Sequence, residues 1–207
     1  MIHDIKTPLS TIRLGLGALD HEKIVNDPEK RTKYLQVIST ETQHAYSLIN
    51  RILTISKSQA GKLELKKVQV DMTSMLSKME ENFKVNRLKN VSFENHINCQ
   101  YAFADEEYLK EIFYNLIDNS IKYSDGDVTI RISTDKVDKG VSIRVKDNGI
   151  GISKADQKVI FDKYERASAA KRTFKKKGAP GFGLGLTYVF QVIDAHEGMI
   201  GVESELG

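Results

Sequence analysis

The apolar residues at the start of the chain recur as Ile5, Leu9, Ile12, Leu16 and Leu19. Steps of four and three alternate, which is a heptad seam and predicts a helix with one apolar stripe. The stretch DHEKIVNDPEK interrupts it, and Asn26-Asp27-Pro28 reads as a cap followed by a first helical position. A second seam follows at Tyr34, Ile38, Glu41, Ala45, Leu48, Ile52 and Ile55, and Gly61 closes it. Residues 1–61 are therefore expected to form an antiparallel helical hairpin. Two helices with one stripe each cannot bury both stripes well alone, so the economical arrangement is a four-helix bundle built by a homodimer.

Beyond Gly61 the period changes. KLELKKVQV reads as extended, DMTSMLSKMEENFKVNRL as a helix, VSFENHI as a strand and DEEYLKEIFYNLIDNSIKYS as a long helix. DVTIRIST and VSIRVKD alternate as strands and predict a hairpin, LTYVFQVIDAH reads as a helix, and MIGVES as a final strand. Strands interleaved with helices predict an α/β sandwich over residues 62–207. The fold class expected for the whole is α+β, a helical hairpin followed by that sandwich.

Composition narrows the setting. Of the 207 residues 40% are hydrophobic and 29% charged, which suits a globular protein. No apolar run approaches the roughly 18 residues of a membrane helix, and Met1 is followed at once by polar and charged residues, so neither a span nor a signal peptide is expected. The single cysteine, Cys99, excludes an internal disulfide and a thiolate metal cluster and fits a reducing, cytoplasmic setting. A net charge of +3 is too small to argue for nucleic acid. The opening residues read as mid-helix and ESELG stops where a strand or turn should continue. An excised piece of a longer chain, with its last strand truncated, is therefore expected.

Candidate chemistry begins at HDIKTPLS. With Ile5 at zero on a helical wheel, the seam residues lie within about 40°, whereas His3 falls near about 160°, Thr7 near about 200° and Leu14 near about 180°. His3 thus faces outward, away from the seam. An ordinary surface histidine would look the same, but three features weigh against that. Asp4 adjoins it, Leu14 lies exposed on the same stripe as a docking surface would, and Pro8 sits in the second turn. That proline deletes the backbone bond to the Asp4 carbonyl, at about 3 kcal/mol in a helix interior.

Three further stretches read as a nucleotide site. In NLIDNSIKYS, residues 115–124, Asn115, Asn119 and Lys122 share one helical face. Buried without a partner, their amides and charge would be costly. A polar ligand removes that problem, and the neutral amide of Asn119 suits Mg²⁺, which takes few protein ligands. Taken alone, an exposed polar face with an Asn at the helix end accounts for the pattern slightly better. DNGIGI, residues 147–152, follows a strand whose flanks do not pair as a hairpin, and Lys158 stands where a calcium loop needs an acid. Its glycines allow close approach, and the Asp147 carboxylate can accept from an exocyclic amine such as that of adenine. GFGLGL, residues 181–186, precedes a helix and follows a basic loop rather than the strand a dinucleotide fold requires, yet it still offers helix N-terminal amides to phosphates.

Taken in order, these stretches resemble the sensor histidine kinases of two-component systems. HDIKTPLS is similar to their phosphoacceptor box: a histidine, an acid, any residue, a base, Thr or Asn, then Pro-Leu. NLIDNSIKYS resembles the N box, DNGIGI the G1 box, FDKYERA (residues 161–167) the F box and GFGLGL the G2 box. ISKSQAGKLEL looks like the link between the two domains. The resemblance covers nearly the whole chain.

It implies the following roles. His3 takes the γ-phosphoryl group of ATP through a neutral imidazole, and Asp4 orients the ring or accepts its proton. Asn119 ligates Mg²⁺ with Asn115 assisting, Lys122 meets a phosphate oxygen and Tyr123 stacks near adenine. Asp147 selects adenine, Gly149 and Gly151 let the base approach, and Gly183, Leu184 and Gly185 present amides to phosphate. Arg166 and the cations Lys171, Arg172, Lys175, Lys176 and Lys177 belong to a lid over ATP. A solvated basic loop is the competing reading of that segment. Nucleic acid is disfavoured there, since only Phe174 interleaves with the charges.

The resemblance also implies phosphotransfer to the receiver domain of a response regulator. A phosphatase role toward that regulator would place water with the Thr7 hydroxyl; a plain surface threonine is the equal alternative. The whole would be the cytoplasmic region of an inner-membrane sensor, with no membrane contact by this piece. Pro8 would let the helix bend between a kinase state and a partner-facing state. His196-Glu197-Gly198 departs from the family's usual His-Gly-Gly and is expected to alter the last turn of its helix. Two rivals stand beside this reading: an ATPase or chaperone-like relative of the same nucleotide fold without a phosphoacceptor, and a dimeric signalling scaffold with a vestigial site.

Overall fold

A computed structural model describes residues 2–85, 90–161 and 184–206, with backbone only at residues 2–4, 22, 84 and 85. The chain divides into two units, Met1–Lys57 and Ser58–Gly207.

The first unit is helical. Helix α1 spans Ile2–Leu19 and runs unbroken through Pro8, which is buried. A four-residue helix α2, Glu22–Val25, occupies the interrupting stretch. Helix α3 starts at Pro28 and runs to Gln59. Asp27 caps it: its Oδ1 accepts the Lys30 amide at 3.1 Å, and Oδ2 meets the Lys30 ammonium at 2.7 Å. Those Lys30 bonds hold the Asp27 carboxyl below the usual carboxylate range. Gly61, at φ +65°, turns the chain after the helix, its amide bonded to the Ser58 carbonyl. Within the hairpin α1 and α3 approach closely at Gly15, where an added Cβ would lie 2.9 Å from Ile38 Cγ1. The α3 seam is covered, with Ala45, Leu48 and Ile55 buried, but the α1 seam is covered only in part: Leu9 and Leu16 remain 52% and 53% exposed, and Leu35, Ile49 and Leu53, which adjoin the α3 seam, are similarly open.

The second unit is a two-layer α/β sandwich. Strand β1 (Lys67–Asp71) pairs antiparallel with β3 (Tyr101–Asp105). Strand β4 (Val128–Val137) lies between β2 (Val91–Ile97), parallel to it, and β5 (Gly140–Asp147), antiparallel to it. The β4–β5 hairpin is as the alternation predicts. Helix α4 (Met72–Val85) follows β1, and α5 (Glu106–Lys122) follows β3. Both pack on the inward faces of the strands. Met75, Leu76, Met79 and Phe83 from α4 meet Leu109, Phe113, Ile117 and Ile121 from α5 over Val128, Ile130 and Ile132 of β4. A short helix α6 (Lys154–Gln157) and helix α7 (Gly185–Ala195) complete the described elements. Asp71 caps α4 through the Ser74 amide, and that bond holds its carboxyl low.

Three expectations need correction. β3 was not expected as a strand, because its inward residues are the small Ala102 and Ala104 while the aromatic Tyr101 and Phe103 face out. The apolar alternation is therefore inverted in size. In KLELKKVQV only Lys67–Asp71 forms a strand. MIGVES is not a strand among the described residues. Side-chain bonds replace a ladder there: the Ile152 amide donates to Ser204 Oγ at 2.9 Å, and Gln157 Nε2 to the Ser204 carbonyl at 2.8 Å.

The His196 turn shows how the departure from His-Gly-Gly is accommodated. Glu197 adopts φ +64°, the left-handed region a glycine would favour. His196 caps α7 with Nδ1 on the Val192 carbonyl at 2.8 Å, while its Nε2 accepts the Asp105 amide at 3.0 Å. The acceptor role of Nε2 puts the ring proton on Nδ1. The ring thus ties the end of α7 to the start of α5.

Candidate nucleotide and phosphoacceptor site

Helix α5 carries the polar stripe, and its start fixes the register. Asp105 Oδ1 accepts the amides of Glu107 and Tyr108, a cap that anchors the first turn. Four-residue steps then align Glu111, Asn115 and Asn119 along one side. Asn115 is 4% exposed and donates Nδ2 to the Glu111 carbonyl at 2.7 Å. Its Oδ1 therefore points away from its own helix toward α7. A Cβ built on Gly185, the first residue of α7, would lie 3.2 Å from Asn115 Oδ1 and 3.8 Å from Asn119 Nδ2. A side chain at 185 would crowd Asn115, which its bond to Glu111 holds in place, while Asn119 lies at an ordinary contact distance. Leu184, just before it, is buried and provides no side-chain cap. The first turn of α7 thus carries the partial positive charge of a helix N-terminus beside the two carboxamides.

At the C-terminal end of α5 the chain meets the loop after β5. Asp147 Oδ2 accepts the Ser120 hydroxyl at 3.1 Å, and Oδ1 accepts the Gly149 amide at 2.8 Å. The carboxylate is exposed but fixed in orientation, and each oxygen keeps a further lone pair for a ligand donor. Asn148 staples the loop, accepting the Thr129 amide at 2.9 Å and donating to the Asp127 carbonyl at 3.1 Å. The Tyr123 carbonyl, at the C-cap of α5, accepts the Ile150 amide at 3.0 Å. The two glycines serve different needs. A Cβ at 149 would meet Asp147 Oδ1 at 2.8 Å and the Tyr123 carbonyl oxygen at 3.0 Å, whereas Gly151 is held at φ +72°. The space freed at Gly149 is thus already used by Asp147 and Tyr123.

The predicted residues fall into three groups. Asn115, Asn119, Leu184 and Gly185 converge along the C-terminal half of α5; Tyr123, Asp147, Gly149 and Gly151 converge at its C-cap. Lys122 shares the helical phase of the asparagines, but its ammonium pairs with Asp118 on the same helix at 2.5 Å. Arg166, Gly183, Phe182 and the remaining cations of the basic segment lie outside the described residues. Phe161 stacks at a tilt against Phe190 of α7, ring centres 6.4 Å apart. In the first unit, His3 and Asp4 lie in α1 by backbone and their side chains are outside the described residues. Thr7 is exposed, and its carbonyl accepts the Thr11 hydroxyl. Leu14 is 71% exposed.

The sequence reading missed Ser120 and Asn148. Ser120 adjoins Asn119, and its only sequence signal is a small hydroxyl inside an otherwise strong helix. Asn148 read as part of a turn, not as its staple.

Among the described residues no three His, Cys, Asp or Glu side chains gather as a metal site. A cation held by carboxylates alone is therefore not built here. A single amide oxygen from Asn119, completed by phosphate oxygens and water, fits Mg²⁺. Cavities of about 320 and 430 Å³ lie elsewhere, and neither is lined by Asn119 or Asp147.

Residues 104–207 match the family of histidine kinase-, DNA gyrase B- and HSP90-like ATPases. Residues 1–61 match the His Kinase A (phospho-acceptor) domain. The chain belongs to the sensor histidine kinases of two-component systems. It is 32% identical over 211 residues to the sensor protein RprX of Bacteroides fragilis, covering 100% of this chain and 40% of that protein. It is 33% identical over 216 residues to the autoinducer 2 sensor kinase/phosphatase LuxQ of Vibrio vulnificus, covering 100% of this chain and 24% of that protein. It thus spans less than half the length of these relatives. Among solved structures, full-length ShkA in complex with AMPPNP superposes with TM-score 0.69 at 25% identity, over 99% of this chain and 42% of that one.

Proposed function

We propose that residues 1–61 form the dimerisation and phosphoacceptor domain, residues 62–207 the catalytic ATP-binding domain, and that the second phosphorylates His3 of the first. The neutral imidazole attacks the γ-phosphorus of ATP. A phosphorus–nitrogen bond forms, the bond from γ-phosphorus to the bridging oxygen breaks, and ADP leaves with that electron pair. The ring proton passes to the Asp4 carboxylate or to water. The phosphoryl group then moves to a carboxylate of a response regulator, restoring the free imidazole.

The observation that carries this reading is the pair of fixed groups along the C-terminal half of α5: the oriented Asp147 carboxylate and the carboxamides beside Gly185. Asp147 accepts the exocyclic amine of adenine, and Tyr123 lies beside the same loop. Asn119, with Asn115 next to it, holds Mg²⁺, which neutralises charge on the phosphate oxygens when bound. Lys122 leaves Asp118 to meet a phosphate, and the amides of Gly183, Leu184 and Gly185 face the triphosphate. Arg166 and the following cations screen its charge. Among the described residues no helix is long and apolar enough to cross a membrane. We place the chain on the cytoplasmic side of an inner-membrane sensor.

Homodimerisation follows from the hairpin: its half-exposed leucines and Ile49 make a stripe that a second copy covers. The exposed Thr7, one turn from His3, also suits removal of phosphate from the regulator by positioning water. LuxQ, similar over this whole chain, is named a kinase and phosphatase.

One set of reactions tests both activities. With γ-labelled ATP the wild-type chain gains an acid-labile, base-stable label that His3→Ala abolishes. Label retained in His3→Ala, or stable to acid, refutes His3 as the phosphoacceptor, and a wild-type chain that gains no label favours the ATPase or scaffold rival. Thr7→Ala is expected to keep autophosphorylation and lose dephosphorylation of the phosphorylated regulator; an unchanged dephosphorylation rate removes Thr7 from that role.

A further inference from the structure

Tyr188 is fully buried on α7, one turn beyond Gly185. A hydroxyl taken out of water is costly unless it is bonded, and an aliphatic side chain would fill the space without that cost. The phenol donates to Glu111 Oε2 on α5. Glu111 begins the stripe that continues through Asn115 and Asn119. Its backbone carbonyl also accepts Asn115 Nδ2 at 2.7 Å, the bond that turns Asn115 Oδ1 toward Gly185. One residue of α5 therefore holds both sides of the contact, Asn115 through its backbone and α7 through its carboxylate. Along α5 from residue 111 to 119 the facing residues of α7 are Tyr188 and then Gly185. The two helices thus run antiparallel, with the glycine at the asparagine end.

We infer that Tyr188 and Glu111 are a positioning pair that sets the first turn of α7 against Asn115 and Asn119. They act through those residues on the affinity for the phosphates and Mg²⁺ of ATP. The inference rests on the nucleotide-site reading above and adds residues that none of the nucleotide motifs contains. The adenine end is set by different bonds, those of Asp147 with Ser120 and Gly149. The pair therefore governs the phosphate end alone.

Calorimetry with Mg-ATP and with adenosine, together with KM and kcat for autophosphorylation of the full chain, tests this. Tyr188→Phe and Glu111→Ala are expected to raise Kd and KM for Mg-ATP about three- to tenfold, the worth of one lost hydrogen bond. Adenosine affinity stays unchanged, and kcat moves less than about twofold. Glu111→Gln, whose amide oxygen still accepts the phenol, stays near wild type. An unchanged Kd for Mg-ATP in Tyr188→Phe overturns the inference. So does a parallel loss of Mg-ATP and adenosine affinity, which marks general loosening, or a loss confined to kcat. If Tyr188→Phe lacks a cooperative melting transition, Glu111→Ala, on the exposed side of the pair, decides alone by the same criteria. A wild-type chain that binds no Mg-ATP is read before any variant and defeats the nucleotide-site reading itself.

Discussion

The two units solve the burial problem differently. The nucleotide unit closes its core within one chain: Phe113, Ile117, Ile130 and Ile132 are at most 1% exposed. The hairpin unit keeps Leu9, Leu16, Leu35, Ile49 and Leu53 between 43% and 53% exposed. A domain that must bind a small molecule is finished by its own sequence, and its polar stripe on α5 is held by bonds within the helix, Asn115 to Glu111 and Lys122 to Asp118, and by the bond of Glu111 with Tyr188 of α7. A domain that must associate leaves apolar area for another copy. Self-sufficiency of the core and incompleteness of the hairpin are thus matched to chemistry and assembly respectively.

The largest expected effect breaks the self-sufficient side. Phe113→Ala removes a fully buried ring and should cost about 3–5 kcal/mol of nucleotide-unit stability. Calorimetric melting should show that transition lowered while the hairpin's helical signal persists; loss of both together would show that the units do not fold independently. Next comes the incomplete side. Leu16→Glu should leave the nucleotide unit's melting unchanged but weaken dimerisation. A leucine side chain is worth about 1.5–3 kcal/mol when buried, and a twofold interface counts it twice, so the dimer constant should rise at least about a hundredfold by sedimentation. An unchanged constant would take Leu16 out of the interface. The smallest effect lies at the His196 turn. Glu197→Gly relieves a left-handed residue against a more flexible unfolded chain, for a net gain of about 0.5–1 kcal/mol. The gain should appear in the nucleotide unit's transition only; a loss would mean that the Glu197 side chain contributes more than its backbone costs.

Legibility in the sequence follows the range of the interaction. The heptad seams, Pro28 as first helical residue, Gly61 as the stop and the β4–β5 hairpin all rest on neighbours within a few positions, and each is found as expected. The boundary of β1 and the existence of β3 depend on strand pairing between residues more than thirty positions apart, as Val70 with Ala102. The small inward alanines gave no local signal. MIGVES has strand composition, yet its Ser204 is held by Gln157 and the Ile152 amide across the chain. At the site, the residue types at Asn115, Asn119 and Asp147 were readable as polar groups in need of a ligand. That Gly185 must lack a Cβ because of Asn115, or that Ser120 aims Asp147, depends on packing between α5 and distant parts of the chain. Lys122 illustrates the same limit: helical phase placed it with the asparagines, but a local acid, Asp118, claims its ammonium.

Gly151 has a mechanical consequence. An added Cβ there would sit 1.7 Å from the backbone oxygen of Glu205. With the Ser204 bonds, this packs residues 204–206 against the turn after β5 that carries Asp147, proposed above to face adenine. A spectroscopic label on the exposed Leu206 would then report the arrival of nucleotide at Asp147 without touching it.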